Sequence, residues 1–400
     1  VIVNLYPFGE HLGENPDEQS AFIDIGGPSL IRAASKSKSV TILSDPSDYA
    51  EFIDEIRRHN GTTAEFRHQM AARSFQRTSL YDAMIAKEWG PKDQCPPVIS
   101  LGGRLPLRYG ENPHQKACFA TGRFTGTEWK CLQGKELSYN NILDTEAALK
   151  IVSEFAKSSV AIIKHNNPCG VASGQKTIAE LFTLALSTDP KSAFGGIVAT
   201  NRTVDTAAAT AMGAIFLEVI VAPAFDPAAK EILTAKKNLR LIEWPVPEFQ
   251  PFELRPALGG WLIQSADTLG IAAKWTVVTK NKTLPDEDDL WFSWLVCKHV
   301  RSNAIVLARN GKTLGIGAGQ MSRVDSVNIA LQKCGSENCL GAVLASDAFF
   351  PFRDNIDILR GTGIIAVIQP GGSQRDSEVI QACNELGITM VFTSERHFRH

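Results

Sequence analysis

Ser159-Val160-Ala161-Ile162-Ile163-Lys164-His165-Asn166-Asn167-Pro168-Cys169-Gly170 is the stretch whose reading decides the fold. The apolar run Val160–Ile163 reads as a buried strand. It ends on a lysine, a histidine, two amides and a glycine, residues that do not extend a core. In α/β sheets the carboxyl end of a strand is where ligands bind. A histidine there can move a proton near neutral pH. A neighbouring ammonium can stabilise a developing negative charge. A lone histidine is more often structural, but this density of polar groups points to a site.

Working outward, helices and short apolar strands alternate, the mark of an α/β domain. Thr177-Ile178-Ala179-Glu180 is a capping box opening a helix. Gly196–Ala199, Gly341–Ala345, Gly363–Ile368 and Ile388–Phe392 read as strands. A helix is expected from Gln374 to Leu386, stopped by Gly387. Upstream, Gly90 to Pro97 holds a glycine and three prolines, so a boundary is placed there. Thr62–Trp89 reads as amphipathic helix. Gly26-Gly27-Pro28 reads as a helix start whose free N–H groups can hold an anion, with Arg32 and Lys36 on one face. Val1–Leu5 reads as a buried strand without a neighbour, so the sequence is expected to begin inside a domain. A faint echo repeats Lys-His at 164–165 and 298–299, and Ala-Phe at 193–194 and 348–349. The spacings differ, so duplication stays open.

Composition narrows the function classes. At about 100–200 residues per domain, 400 residues suggest two or three domains. Forty-one basic and 43 acidic side chains leave a net charge of -2. That excludes nucleic-acid binding through bulk positive charge. No apolar run approaches the roughly 20 residues of a membrane span. The opening residues lack the layout of a secretion signal. Eight scattered cysteines read as reduced thiols of a cytoplasmic protein. Gly315–Gln320 lacks the last glycine of a dinucleotide loop, and Val306 stands where a phosphate loop before Gly311-Lys312-Thr313 needs glycine. Pro168-Cys169 resembles half of a zinc-deaminase signature, but Ala172 replaces its second cysteine and no His-x-Glu lies nearby. No catalytic metal is expected.

Three more stretches carry chemistry. Arg108-Tyr109-Gly110-Glu111-Asn112-Pro113-His114-Gln115 is either a phosphate-gripping loop or a solvated turn. Asp347-Ala348-Phe349-Phe350-Pro351-Phe352-Arg353-Asp354-Asn355 is either a core corner or a wall for a flat ring system, with Asp354 accepting its N–H groups. Glu395–His400 is either a frayed end or a basic segment docked at a site.

These motifs, with Asn4–Phe8, Ile23–Pro28, Ser192–Gly196 and Gly315–Arg323, resemble in order the bifunctional PurH family of purine biosynthesis. That family joins an IMP cyclohydrolase domain to an AICAR (5-aminoimidazole-4-carboxamide ribotide) formyltransferase domain. The resemblance implies an α/β fold with a partial methylglyoxal-synthase-like domain over 1–95. Two cytidine-deaminase-like subdomains, without their zinc, would follow over 96–270 and 271–400. It implies formyl transfer from 10-formyltetrahydrofolate, as co-substrate, to AICAR, giving FAICAR and tetrahydrofolate. The site would lie at a homodimer interface, in the cytoplasm, with no nucleic acid or membrane as partner.

The family's catalytic pair falls on Lys164 and His165. Its AICAR contacts fall on Arg108, Tyr109, Asn141, Asn303, Arg323 and Arg396. Phe194 and Gly195 are counted with these, beside the folate pocket of Phe349, Phe352 and Asp354. Tyr6, Asp24 and Lys36 match retained cyclohydrolase positions. A monovalent cation, K+, is expected near Asp347 and His400. The family's segment before Asn4, with a phosphate loop and a catalytic lysine, has no counterpart here. Cyclisation of FAICAR to IMP is therefore expected to be impaired.

Overall fold

Short apolar strands and the helices between them build most of the molecule, and the side chains of Ser138, Thr177 and Asp205 cap three of those helices. The computed structural model describes residues 1–91, 98–99, 101–121, 129–245, 247, 249–268, 275–284, 287–335 and 338–400. The expected boundaries at 95/96 and 270/271 lie outside these residues. The chain divides into two compact units. One takes in Val1–Leu105, Ala120–Gly126 and Pro251–Ser265, the other Pro106–Phe119, Thr127–Gln250 and Ala266–His400.

The elements begin with α1 (Pro16–Gln19), α2 (Gly26–Lys36), α3 (Tyr49–His59), α4 (Ala64–Trp89), β1 (Gly102–Pro106) and β2 (Cys118–Thr121). Next come β3 (Lys130–Gln133), α5 (Tyr139–Ser153), β4 (Ser158–Lys164), β5 (Asn167–Gly174), α6 (Ile178–Leu186), α7 (Pro190–Ala193) and β6 (Gly196–Thr200). They continue with α8 (Thr206–Gly213), β7 (Leu217–Ala222), α9 (Pro227–Thr234), β8 (Arg240–Glu243), β9 (Phe252–Ala257), β10 (Gly260–Ser265) and β11 (Thr276–Val277). The last are α10 (Glu287–Lys298), β12 (Ile305–Arg309), β13 (Lys312–Gly317), α11 (Arg323–Cys334), β14 (Val343–Ser346), α12 (Asp354–Asp357), β15 (Ala366–Gln369), α13 (Asp376–Leu386) and β16 (Thr389–Phe392). No helix among the described residues is long and apolar enough to cross a membrane.

In the first unit α4 starts where Thr63 accepts a hydrogen bond from the Phe66 N–H at 3.1 Å. Ile31, Ala34 and Ile42 form a small core. The expected buried strand at Val1–Leu5 is not formed. Only Ile2 bridges, to Leu43, and Val1 and Ile2 are exposed. Val3 and Leu5 pack against the Ile31 core instead. A single bridge satisfies too few backbone groups to hold a strand.

The second unit is built on one mixed sheet of twelve strands, in the order β11-β16-β15-β14-β12-β13-β5-β4-β6-β7-β8-β3. The order reads the same from both ends when the halves are matched. Each half has a central antiparallel hairpin, β4–β5 or β12–β13. Its first strand then pairs antiparallel with β6 or β14. Two parallel neighbours follow, β7–β8 or β15–β16. An antiparallel edge strand, β3 or β11, closes each half. The halves join where β13 meets β5 antiparallel, at Lys312 and Ala172. On one face α5 and α10 share a single apolar core across both halves. On the other, α6, α8 and α9 cover the first half and α11 and α13 the second, as separate cores. From Asp289 to Lys298 every residue of α10 except Trp291 is buried, as the mostly apolar run Leu290–Cys297 requires.

The duplication is real, but the Lys-His echo does not mark it. Lys298-His299 ends a helix, whereas Lys164 ends a strand. The counterpart of the His165-Asn166 turn is Asn310-Gly311, between Arg309 and Lys312. The two hairpins carry a bulge at the same place, around Cys169 and Leu314. The glycines that follow match too. A Cβ on Gly170 would lie 1.9 Å from the Ala185 carbonyl oxygen of α6, and one on Gly315 2.1 Å from that of Ala330 in α11.

Candidate active site

β4 runs against β6, so its carboxyl end lies beside the amino end of that strand, not with the carboxyl ends of β6–β8. Following the pairings through β5, β13 and β12, the carboxyl end of β4 shares an edge with those of β14, β15 and β16. The Lys164-His165 tip thus faces the ligand-binding edge of the second half.

His165 and Asn166 have φ of 53° and 61°, a two-residue turn that matches the twist of a hairpin. Asp144 of α5 anchors it. The His165 N–H donates to Asp144 Oδ2 at 3.2 Å and the Asn166 N–H to Oδ1 at 2.7 Å. Burial raises the Asp144 carboxyl above its ordinary pKa, against the two N–H donors and the charges of His165 and Lys164. The His165 side chain is exposed. Lys164 Nζ donates to the carbonyls of Phe194 at 3.2 Å and Gly195 at 2.9 Å. Gly195 takes a φ of 68°, and the Phe194 ring is 63% exposed, 5.3 Å from that of Phe216. The sequence-predicted Lys164, His165, Phe194 and Gly195 are therefore neighbours.

A second group stands on the same edge. Buried Arg323, at the start of α11, pairs with buried Asp347 and donates to Ser346 Oγ at 2.8 Å. Its Nη2 donates to Asn303 Oδ1 at 2.7 Å. Asp347 also accepts from Ser302 Oγ and from the Ala304 N–H. Asn167, two residues beyond His165, accepts from the Arg301 N–H at 3.0 Å, which ties this group to the hairpin.

Asn141 caps α5: its Oδ1 accepts from the Ser138 N–H at 3.0 Å, and its own N–H donates to Ser138 Oγ. Its neighbour Asn140 donates to the Glu111 carbonyl, holding the Arg108–Gln115 loop against the start of α5. In that loop the exposed Arg108 guanidinium lies 5.3 Å over the Tyr109 ring.

Past Asp347, Phe349 is 37% exposed and Phe352 48% exposed, so neither is core, while Phe350 is fully buried. The Arg375 guanidinium lies 4.8 Å over Phe352. Asp354 is exposed and accepts from the N–H and side chain of Asn355. Asn355 Oδ1 is buried with no hydrogen-bond partner among the described residues. The C-terminal segment is docked, not frayed. The buried His397 pairs with Asp267 at 2.6 Å and donates its N–H to the Asp347 carbonyl. Ser302 and Arg399 exchange hydrogen bonds. Arg396 is exposed, over the Phe398 ring.

In the first unit the start of α2 is already filled. The Gly27 N–H donates to Asp24 Oδ1 at 2.6 Å, so the expected anion there would meet a carboxylate. Tyr6 donates its N–H to Asp24 Oδ2, and its side chain is exposed, as is that of Lys36. Among the described residues no cluster of three or more His, Cys, Asp or Glu suits a metal ion. Cys169 is buried, and burial pushes its thiol up to about 12.

Sequence reading missed Asp144 and Asp289. A carboxylate that grips backbone N–H groups 21 residues away leaves no local pattern. The same holds for Asn201, which accepts from the Ser159 N–H as Asp347 does from that of Ala304.

A model of the AICARFT/IMPCHase bienzyme family matches residues 33–333. Similarity over the whole of this chain extends to proteins named bifunctional purine biosynthesis protein PurH. That of Acaryochloris marina is 47% identical over 428 residues, covering 100% of this chain and 81% of the relative. That of Aquifex aeolicus is 47% identical over 419 residues, with the same coverage. One from Desulfitobacterium hafniense is 48% identical over 425 residues and 82% of its own length. With a family match running across both units, and relatives 47–48% identical over the whole of this chain, the chain belongs to the AICARFT/IMPCHase bienzyme family.

Proposed function

We propose that this chain acts in purine biosynthesis, moving a formyl group from 10-formyltetrahydrofolate to the 5-amino group of AICAR and releasing FAICAR and tetrahydrofolate. The observation that carries it is the anchored turn offering the exposed His165 beside Lys164, on the edge shared with Asn303 and Arg323.

The AICAR amine is conjugated with its ring and is a weak nucleophile, so orientation and proton removal must supply much of the rate. Its nitrogen bonds to the formyl carbon while His165 takes the amine proton. Lys164, held by two carbonyls, stabilises the oxyanion. The bond from the formyl carbon to folate N10 then breaks, and N10 takes the proton that His165 had accepted. Arg108 and Arg396 are exposed guanidinium groups suited to the ribotide phosphate. Asn141, Tyr109, Asn303, Arg323, Phe194 and Gly195 are assigned to AICAR. Phe349, Phe352 and Asp354 are assigned to the folate, with the unpartnered Asn355 Oδ1 in the same corner. A K+ ion near Asp347 and His400 belongs to the same proposal, and no step here uses it.

In this reading the two halves of the large sheet are cytidine-deaminase-like subdomains, and residues 1–95 are part of a methylglyoxal-synthase-like cyclohydrolase domain with Tyr6, Asp24 and Lys36 at its site. A cytoplasmic homodimer is part of the same proposal. The test is absorbance on tetrahydrofolate release by the purified chain. AICAR-dependent turnover is expected; none, from a folded dimer given both substrates, would overturn the reading.

A further inference from the structure

We propose that Asp144 is the positioning residue of the reacting pair: its carboxylate sets the His165-Asn166 turn and so the place of the imidazole. The inference rests on the formyl-transfer reading above. Both carboxylate oxygens are used, each on one N–H of the turn. Asp144 is 9% exposed, so water does not replace them.

The other half shows what the anchor does without the chemistry. Asp289 of α10 accepts from the Asn310 N–H at 2.7 Å and the Gly311 N–H at 2.8 Å, and is 6% exposed. The same spacing separates Asp144 from Gly170 and Asp289 from Gly315. Asn-Gly is the pair that such a turn prefers, because both residues take positive φ readily. His-Asn is not. The first half thus keeps a histidine where the turn alone would select asparagine, and it depends more on its carboxylate for shape. A turn that swings by an ångström would carry the imidazole off the amine it must deprotonate.

Asp289 makes the internal control. In Asp144→Asn and Asp289→Asn one N–H of each turn faces an amide NH2 in place of an oxygen. Both variants of this whole chain are expected to lose thermal stability to a similar degree. Only Asp144→Asn is expected to lower kcat, by about 30-fold or more, with KM for AICAR and 10-formyltetrahydrofolate changed less than about threefold. Asp144→Glu keeps the charge and both acceptors but pushes the turn outward by one methylene. It covers the case in which the asparagine variant does not fold, and its kcat is expected to fall about tenfold. The unsubstituted chain is assayed first: absence of formyl transfer there sinks the functional reading and this inference with it. Transfer by the unsubstituted chain, with equal kcat losses in the two asparagine variants or wild-type kcat in Asp144→Glu, sinks the inference alone.

Discussion

The hairpins β4–β5 and β12–β13 share register, bulge, carboxylate anchor and close-packed glycine, yet one tip holds His165-Asn166 and the other Asn310-Gly311. Lys164 and Arg309 even do the same work, each donating to carbonyls of the loop that leads into β6 or β14. Lys164 therefore has a structural task as well as a proposed chemical one. What separates the halves is the imidazole. A second difference lies at the far end of each first strand. There Asn201 bonds the first half, while Asp347 with Arg323 bonds the second and places a buried charge pair on the His165 edge.

If the scaffold is truly repeated, equal damage should follow equal substitutions. Gly170→Ala and Gly315→Ala each drive a methyl into a helix carbonyl, and each is expected to cost about 3 kcal/mol or more, read from denaturant midpoints. A large loss in one half only would break the equivalence. Arg323→Leu leaves Asp347 buried and unpaired, at a cost of about 3–5 kcal/mol. Asn201→Ala, its nearest match in the first half, removes neutral hydrogen bonds and should cost about 1–3 kcal/mol. A smaller loss from Arg323→Leu than from Asn201→Ala would contradict the account of the edge.

The smallest effect concerns pH. Glu154, following α5, accepts at 2.8 Å from Lys298, the last residue of α10, and at 2.8 Å from His299, and joins the halves. Burial holds the His299 imidazole below its ordinary value, although Glu154 pulls the other way. The unfolded chain then binds more protons, so this group's stability is complete above about pH 6.5 and declines below it. Burial pushes the Glu154 carboxyl up, but the hydrogen bonds and charges of His299 and Lys298 together hold it below its ordinary value, so its contribution is lost further down, below about pH 4.5. Thermal midpoints should fall from pH 7.5 to 5.5, and less so in His299→Gln. An identical fall in that variant would show that His299 is not the group.

Much of this architecture is legible in the residues. Val160–Ile163, the Thr177-Glu180 box and the Gly387 stop each announce an element through local rules, and each forms. Lys164-His165 stands out because polar groups follow an apolar strand. The repeat does not, since its halves keep little more than an aspartate and a glycine in register, while the conspicuous Lys-His pairs fall on unlike elements. Nor does the edge of the site. The direction of β4 against β6 emerges only from pairing, and the Arg323–Asp347 contact only from folding two strands and a helix together. Val1–Leu5 misled because apolar, β-branched residues mark a strand only where a partner ladder exists.

The central claim is that the imidazole on the first hairpin, and nothing equivalent on the second, moves the proton of formyl transfer. Steady-state tetrahydrofolate release by His165→Ala, with AICAR binding measured alongside, tests it most directly. The account predicts a fall in kcat of about 10²–10⁴-fold with AICAR affinity nearly kept; a variant within threefold of the unsubstituted chain would contradict it.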